Sequence, residues 1–262
     1  MGIVNVTPDS FSDGGAFFDP AAAIEHGLRL AGEGADILDV GGESTRPGAE
    51  PVPEQEELRR VVPVVRELAA RSGVPVSVDT SKAAVAEAAL AAGATIVNDV
   101  TALRQDLRLG AVAARAGAAV VIMHMQGTPR TMQQAPHYED LLGEVIAGLA
   151  AGIARAAAAG VALDRILVDP GIGFGKSLEH NLALLDRLGE LEVLGRPILV
   201  GPSRKAFIGR LLDLPAAERT EGTIAACCCA AGRGAHIVRV HDVGPVRRAL
   251  RVADAIRGGA AA

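Results

Sequence analysis

The sequence has few aromatic residues, no block of basic residues and no long apolar run. These shortages exclude several classes of protein. Only 2% of its 262 residues are aromatic, and tryptophan is absent. Acidic and basic residues are interspersed and give a net charge of −5, so no basic block marks a surface for nucleic acid or anionic membrane. No apolar run reaches the length of a transmembrane helix, and the opening residues do not match a signal peptide. We therefore expect a cytoplasmic protein.

Cysteine is also scarce, because the chain has three cysteines and they are consecutive, Cys227, Cys228 and Cys229. Adjacent residues of a helix point about 100° apart, so the three thiols cannot bind one metal ion together. They cannot form an ordinary disulfide framework either. We interpret them as small apolar residues of a buried helix in a reducing compartment.

What the sequence does contain is a repeated unit of a short apolar run followed by a stretch with helical spacing. The runs are continuous in Val and Ile, which is typical of strands buried on both faces. The eight runs are IVNV, ILDV, VSVD, TIVND, VVIMH, ILVDP, ILVG and IVRVH. They recur about every 34 residues, which suits one strand and one helix. Asp19 before Pro20 predicts the start of the first helix.

Eight such units predict an α/β fold, a single (β/α)8 barrel with its active site at the carboxyl ends of the strands. We expect one domain over residues 1–262, with a frayed tail at 257–262. A doubly wound open sheet is the alternative. That fold usually has fewer strands and a Gly-rich first turn, and the first turn here is not GxGxxG.

Polar residues in this chain fall where the predicted strands end, which is where a barrel enzyme carries its chemistry. These residues are Asn5, Asp39, Asp79, Asn98, His124, Asp169, Ser203, Lys205, Arg239 and His241. Carboxylates and an amide that converge in a barrel mouth suit a flat heterocycle with amino and lactam edges. The alternative is that each acid caps a helix or pairs with an arginine, since unpaired burial is costly.

The loops after strands seven and eight are a common phosphate site in this architecture. Lys205, Arg239 and His241 could hold a diphosphate there, because an arginine fork binds oxyanions through two nitrogens. An ion pair between Arg239 and Asp242 is the alternative. His124 is as consistent with packing as with reaction.

The stretch DPGIGFGKS at 169–177 is not a phosphate-binding P-loop, because Pro170 stands where that motif needs its first glycine. Its glycines are expected to let the backbone approach a ligand closely. Phe174 stands out in a chain with so few aromatic residues. It could stack on a ring or close the mouth of the barrel.

Seven motifs, in order and spanning nearly the whole chain, resemble those of the dihydropteroate synthase family. They are NVTPDSFSDGG at 5–15, GGESTRPGA at 41–49, VDT at 78–80, NDV at 98–100, DPGIGFGK at 169–176, GPSRKAFIG at 201–209 and RVHDV at 239–243. The resemblance implies a (β/α)8 barrel that joins a hydroxymethyl-dihydropterin diphosphate to p-aminobenzoate and releases diphosphate, with Mg²⁺ assisting. It also implies a homodimer through outer helices near strands six to eight, for which the helix at 224–232 is a candidate.

The resemblance also implies roles for particular residues. Asp79, Asn98, Asp169 and Lys205 would hold the pterin, while Asn5, Arg239 and His241 would hold the diphosphate, with Asn5 also reaching Mg²⁺. Phe174, Ser203 and Lys205 would border the aminobenzoate, in a stretch that begins at Gly201. Phe11 and Asp13 in the first loop, and Thr45, Arg46 and Pro47 in the second, would close over the site. We predict Asp79, Lys205, Asp13 and Arg46 as the catalytic residues, and residues 5–15 as a lid that orders when diphosphate is present.

Two other functions are compatible with these motifs. One is a non-catalytic paralogue that binds a pterin without turnover. The other is a pterin-dependent methyltransferase domain, which would not need Arg239, His241 or the SRK stretch.

Overall fold

The computed structural model describes residues 1–7, 19–44 and 48–258. Eight strands are present in these ranges, and all eight predicted strands are confirmed. They are β1 Gly2–Asn5, β2 Leu38–Gly41, β3 Val76–Asp79, β4 Ile96–Asp99, β5 Ala119–Met123, β6 Ile166–Asp169, β7 Leu199–Val200 and β8 Ile237–Val238.

Helices follow the strands along the chain. They are α1 Pro20–Gly32, α2 Glu54–Arg71, α3 Ala83–Ala91, α4 Leu109–Arg115, α5 Leu141–Ala158, α6 Leu178–Asp186, α7 Ala206–Leu212, α8 Thr220–Gly232 and α9 Val243–Ile256. Short 3₁₀ turns lie at Leu163–Arg165, Leu188–Leu194 and Ala216–Glu218. The first helix starts as predicted, because the Asp19 carboxylate accepts a hydrogen bond from the Ala21 amide at 2.9 Å and Pro20 is its first residue.

The strands form a parallel ring in chain order. Strands β1 to β6 form one ladder, and β7 pairs with β8. Each of the two seams is held by one bridge, Val168 to Ile198 on one side and Gly2 to Val240 on the other. The order confirms the (β/α)8 barrel and not the doubly wound sheet, in which the strand order reverses at a switch point.

One helix bears on the predicted absence of a membrane-spanning segment, and the prediction for the cysteines is wrong in detail. Helix α5 has 18 residues and a mean hydropathy of 1.6, so by length and composition alone it could cross a membrane. In this fold it lies on β5, where Gly152 of α5 meets Ile122, which is the place of an outer helix of the barrel. The cysteines lie on α8, but only Cys227 is buried, and Cys229 is exposed.

The contact between α5 and β5 allows a test of the fold. A Cβ atom on Gly152 would lie 2.4 Å from Ile122 Cγ2, so we expect Gly152→Ala to lower the free energy of unfolding by about 1–3 kcal/mol. Alanine is otherwise the better helix former by about 1 kcal/mol. In the control Gly32→Ala, the new Cβ meets nothing within 4 Å, and stability should stay the same or rise. Urea unfolding measures both, and a stabilised Gly152→Ala variant would contradict this packing.

Candidate active site

The polar site lies directly above an apolar plug inside the barrel. Ile37, Ile96, Leu167 and Ile237 belong to one apolar cluster with Met1, Val121 and Leu199. Successive residues on one face of a strand are two apart. The residues two positions further along the chain are Asp39, Asn98, Asp169 and Arg239. The strand period therefore places a layer of charged and amide groups on top of a layer of aliphatic groups.

Arg239 joins the strands at the centre of this polar layer. Its Nε donates a hydrogen bond to Asp39 Oδ2 at 2.5 Å, and its Nη2 donates one to Asp79 Oδ2 at 2.7 Å. Asn98 Nδ2 donates to the same Asp39 oxygen at 3.0 Å. Both carboxylates are buried, and Asp39 has no exposed surface. One guanidinium thus compensates two buried acids that come from neighbouring strands.

The layer is not fully satisfied by its own groups. Asp39 Oδ1 and Ser77 Oγ are buried and have no hydrogen-bond partner among the residues that the structure describes. Asp39 and Ser77 are also paired in the register of β2 and β3. Because each unsatisfied buried polar atom costs free energy, this arrangement is poor for stability.

Burial displaces the pKa values of the ionisable groups in this layer. It raises the pKa of Asp79 to about 7, although Arg239 acts in the opposite direction. It also raises the pKa of the Asp169 carboxyl, which Lys205 opposes. Burial lowers the pKa of the Lys205 ammonium to about 8. Ionisable groups whose pKa values are displaced by burial and by a nearby charge are a mark of functional sites.

Lys205 lies beside the loop that follows β6. Its Nζ donates a hydrogen bond to the carbonyl of Ile172 and lies 4.4 Å from the centroid of the Phe174 ring. The Phe174 ring is half-buried and packs against an apolar cluster formed by Val100, Met123, Met125 and Met132. Phe174 therefore borders the polar layer, with its ring beside the Lys205 ammonium.

The loop after β7 meets the end of β8 through Ser203 and His241. Ser203 Oγ lies 2.9 Å from His241 Nδ1 and accepts a hydrogen bond from the His241 amide at 3.2 Å. The alternative pairing of Arg239 with Asp242 is wrong, because Asp242 instead binds Arg204 through two hydrogen bonds of 3.0 and 2.6 Å.

Glycines in the loop 169–177 are explained by protein contacts. A Cβ atom on Gly171, whose φ is +70°, would lie 2.0 Å from the His124 carbonyl oxygen, and one on Gly175 would lie 2.7 Å from the Gln126 carbonyl oxygen. The loop thus lies tightly against the end of β5, at a distance that only glycine allows. The expected close approach to a ligand remains a prediction.

Several predicted site residues lie outside the residues that the structure describes. They are Phe11, Asp13, Thr45, Arg46 and Pro47. Asn5 ends β1, while Gly201 directly follows β7 and is buried. His124 is a packing residue: burial, together with Lys176 and Arg104, lowers its pKa to about 3, so its imidazole is neutral at physiological pH.

No role is assigned from the sequence to Lys82 or Lys176, although the rarity of lysine in this chain sets them apart. The chain has three lysines among its 26 basic residues, Lys82, Lys176 and Lys205, and each lies a few residues beyond the end of a strand. Lys82 pairs with Glu43 and with buried Glu57. Lys176 is buried against the loop after β6.

The Lys82 cluster connects the site to the second loop. Glu57 accepts a hydrogen bond from Thr80, the residue after Asp79, at 2.6 Å. Glu43 accepts from the Val52 amide at 2.9 Å as well as from Lys82. This cluster therefore ties both ends of the segment 43–52 to the loop that follows β3.

Fold and site together define a barrel enzyme that binds a heterocycle, and comparison with known proteins agrees. Residues 1–241 match the sequence model of a family described as pterin binding enzyme. Dihydropteroate synthase from Escherichia coli is 50% identical over 255 residues, covering 97% of this chain and 90% of the relative. The Mycobacterium leprae enzyme is 49% identical and covers 97% and 92%.

Solved structures show the same similarity. Dihydropteroate synthase from Yersinia pestis, in a sulfonamide drug complex, superposes with a TM-score of 0.94 at 48% identity, covering 98% of this chain and 93% of that one. The Xanthomonas albilineans enzyme with 4-aminobenzoic acid has a TM-score of 0.92 at 51% identity, covering 98% and 92%. The chain belongs to the pterin binding enzyme family and, within it, to the dihydropteroate synthases.

The raised pKa of Asp79 predicts a pH-dependent stability. Burial raises the pKa of this carboxyl in the folded protein from its ordinary value of 3.8 to about 7, although the ion pair with Arg239 acts in the opposite direction. Between these values the folded state binds more protons than the unfolded state, so stability falls as the pH rises through this window. We expect Asp79→Asn to remove this fall, so that its stability relative to wild type rises from acid to neutral pH.

Urea unfolding of wild type and Asp79→Asn across this pH range measures the difference. Asn98→Asp is an informative companion, because a third acid beside Asp39 should steepen the same fall. Parallel pH profiles for wild type and Asp79→Asn would show that the Asp79 carboxyl is not perturbed.

Proposed function

We propose that the protein is a transferase that condenses 6-hydroxymethyl-7,8-dihydropterin diphosphate with p-aminobenzoate to give 7,8-dihydropteroate and diphosphate (EC 2.5.1.15). The observation that carries this proposal is the buried polar layer at the strand ends. In it Arg239 binds both Asp39 and Asp79, and Asp169 and Lys205 belong to the same layer. This layer presents acceptors and donors side by side, which is what the edge of a pterin requires.

The pterin half of the reaction is assigned to the buried polar layer. Asp79, Asn98, Asp169 and Lys205 hold the ring through hydrogen bonds to its amino and lactam edges. Asp169 Oδ1 already accepts from the Gly171 amide at 2.7 Å, so its other oxygen is the one offered to the ring. Carboxylates in this layer also stabilise positive charge that develops on the pterin as the diphosphate leaves.

The diphosphate half is assigned to Arg239 and His241 at the end of β8. Two nitrogens of Arg239 hold Asp39 and Asp79, and within the described residues its Nη1 has no hydrogen-bond acceptor. That nitrogen is therefore suited to an oxygen of the leaving group. His241 is oriented by Ser203 through its Nδ1 atom.

Mg²⁺ is part of the proposal through the resemblance to the family. The resemblance gives Asn5, the last residue of β1, as the protein ligand, and an amide oxygen is a suitable donor for this ion. Magnesium commonly binds through one or two protein oxygens together with substrate phosphates and water. When bound, it would neutralise charge on the diphosphate.

The arylamine half is assigned to the wall formed by Phe174, Lys205 and Ser203. The Xanthomonas albilineans relative was solved with 4-aminobenzoic acid and also with 7,8-dihydropteroate, which supports the same substrate class here. The amine is already nucleophilic and needs no strong base. The carbon–oxygen bond to diphosphate breaks, the amine nitrogen forms the new bond to the exocyclic carbon, and the nitrogen then loses a proton.

The proposal also covers the two loops near the site, the cellular compartment and the oligomeric state. By resemblance to the family, Phe11, Asp13, Thr45, Arg46 and Pro47, which lie outside the described residues, are proposed to exclude water, which would otherwise capture a cationic intermediate. The protein acts in the cytoplasm. It forms a homodimer through outer helices near strands six to eight, with the helix at 224–232 as the candidate face.

Diphosphate release tests the proposed reaction. We expect the purified protein to release diphosphate and form dihydropteroate only with Mg²⁺, the pterin diphosphate and p-aminobenzoate present. Lys205→Ala should lower kcat/KM by at least about 100-fold. Arg115→Ala, which removes an exposed cation paired with Glu87, is the matched control and should retain full activity.

Other outcomes identify the alternatives. Tight pterin binding without diphosphate release would indicate the non-catalytic paralogue. Methyl transfer from a methylated pterin to a corrinoid acceptor would indicate the methyltransferase domain. Equal turnover by wild type and Lys205→Ala would contradict the assignment of Lys205.

A further inference from the structure

The loop after β6 is held by side chains from several parts of the fold. Its four successive carbonyls, at residues 172–175, each accept a hydrogen bond from a side chain. In the order of the carbonyls, the donors are Lys205, Gln133, Lys176 and Tyr138. This loop carries Phe174, and of the four donors it is Lys176 that binds the carbonyl of Phe174 itself.

Lys176 is the most deeply buried of these four donors, and no role has yet been assigned to it. Only 3% of its surface is exposed. Its Nζ lies 3.0 Å from the Phe174 carbonyl oxygen, 3.1 Å from His124 Nδ1 and 3.4 Å from the His124 carbonyl oxygen. It thus joins the end of β5 to the main chain of Phe174.

The surroundings of Lys176 are poor for stability. Its three contacts are neutral acceptors, and it forms no salt bridge with any residue that the structure describes. Burial lowers the pKa of its ammonium to about 7, with Asp169 acting against this effect. A buried cation without a paired anion usually costs stability, so an apolar side chain would serve better if the site only needed filling.

Phe174 is held at two points by two lysines. Lys176 binds its carbonyl oxygen, and Lys205 lies 4.4 Å from the centroid of its ring. The ring also rests on the apolar cluster that includes Met123 and Met125. The position of the ring relative to Lys205 therefore depends on the main-chain position that Lys176 sets.

We propose that Lys176 is a positioning residue for the arylamine substrate: by fixing the Phe174 carbonyl against the end of β5, it sets the aromatic wall beside Lys205. The proposal rests on the proposed function, since that function assigns the wall to the aminobenzoate. It distinguishes the two substrates, because among the described residues Lys176 bonds to the Phe174 carbonyl and to no pterin-binding group of the buried polar layer.

A double-mutant cycle tests the proposal. Lys176→Met should raise KM for p-aminobenzoate about tenfold and should change KM for the pterin diphosphate much less, because Lys176 influences Asp169 only through space. In a Phe174→Ala background, where the wall is absent, the same substitution should have less than about a twofold effect. Tyr138→Phe is the matched control, because it removes a hydrogen bond of 2.7 Å to the neighbouring carbonyl of Gly175 and should leave KM for p-aminobenzoate nearly unchanged.

A general structural role would give different results. It predicts that Lys176→Met raises both KM values alike, or that its effect persists in full in the Phe174→Ala background. Either result overturns the proposal, as would an equal effect of Tyr138→Phe. If Lys176→Met does not fold, Lys176→Gln replaces it in the cycle. Its shorter side chain keeps a donor, so it should raise KM for p-aminobenzoate by a smaller factor, and Phe174→Ala should abolish that rise; a rise that persists in the Phe174→Ala background overturns the proposal.

Failure of the proposed function would be recognised separately. If the wild type makes no dihydropteroate, the proposed reaction is wrong, and equilibrium binding of p-aminobenzoate to the same four proteins decides the role of Lys176. Binding that is weakened by Lys176→Met only when Phe174 is present supports that role. Binding that is equal in wild type and Lys176→Met contradicts it.

Discussion

The interaction on which the rest of the structure depends is the pairing of one guanidinium, Arg239, with two buried carboxylates, Asp39 and Asp79. Either acid alone in the barrel would carry a large desolvation cost. Arg239 follows β8, and the seam between β8 and β1 has a single bridge, Gly2 to Val240. By reaching from β8 to β2 and β3, the same side chain supports the closure of the barrel and shapes its ligand site. Fold and function are thus coupled through one residue.

Arginine and lysine occupy different parts of this barrel. Exposed ion pairs on the helices, such as Arg59 with Glu56 and Arg187 with Glu190, use arginine, and such pairs contribute little to stability. The three lysines instead lie beyond strand ends, where burial displaces the pKa of Lys176 and Lys205 to about 7 and 8. Lysine is suited to this, because its pKa shifts readily on burial, whereas arginine stays charged. The site therefore concentrates groups that can respond to a ligand.

The fold was predictable because its signals are local. Continuous apolar runs locate all eight strands, and a strand period of two explains why Asp39, Asn98, Asp169 and Arg239 share a layer. The sequence predicts which polar residues lie at the strand ends. It does not predict which of them form hydrogen bonds with one another, because Arg239 and Asp39 are 200 residues apart in the chain and the sequence alone gives no spatial distance between them. Sequence reasoning therefore offered Asp242 as a partner for Arg239, and it missed the anchoring of Phe174 by Lys176. The roles of Asp13 and Arg46 rest on resemblance alone, because both lie outside the described residues.

The central claim is that the buried polar layer binds a pterin ring, and calorimetric titration with 6-hydroxymethyl-7,8-dihydropterin tests it most directly, because this ligand has no diphosphate. The account predicts saturable binding at one site in the wild type. It also predicts loss of binding in Asp169→Asn, which keeps an acceptor for the Gly171 amide but removes the charge offered to the ring. An absence of pterin binding in the wild type, or equal affinity in the two proteins, would contradict the account.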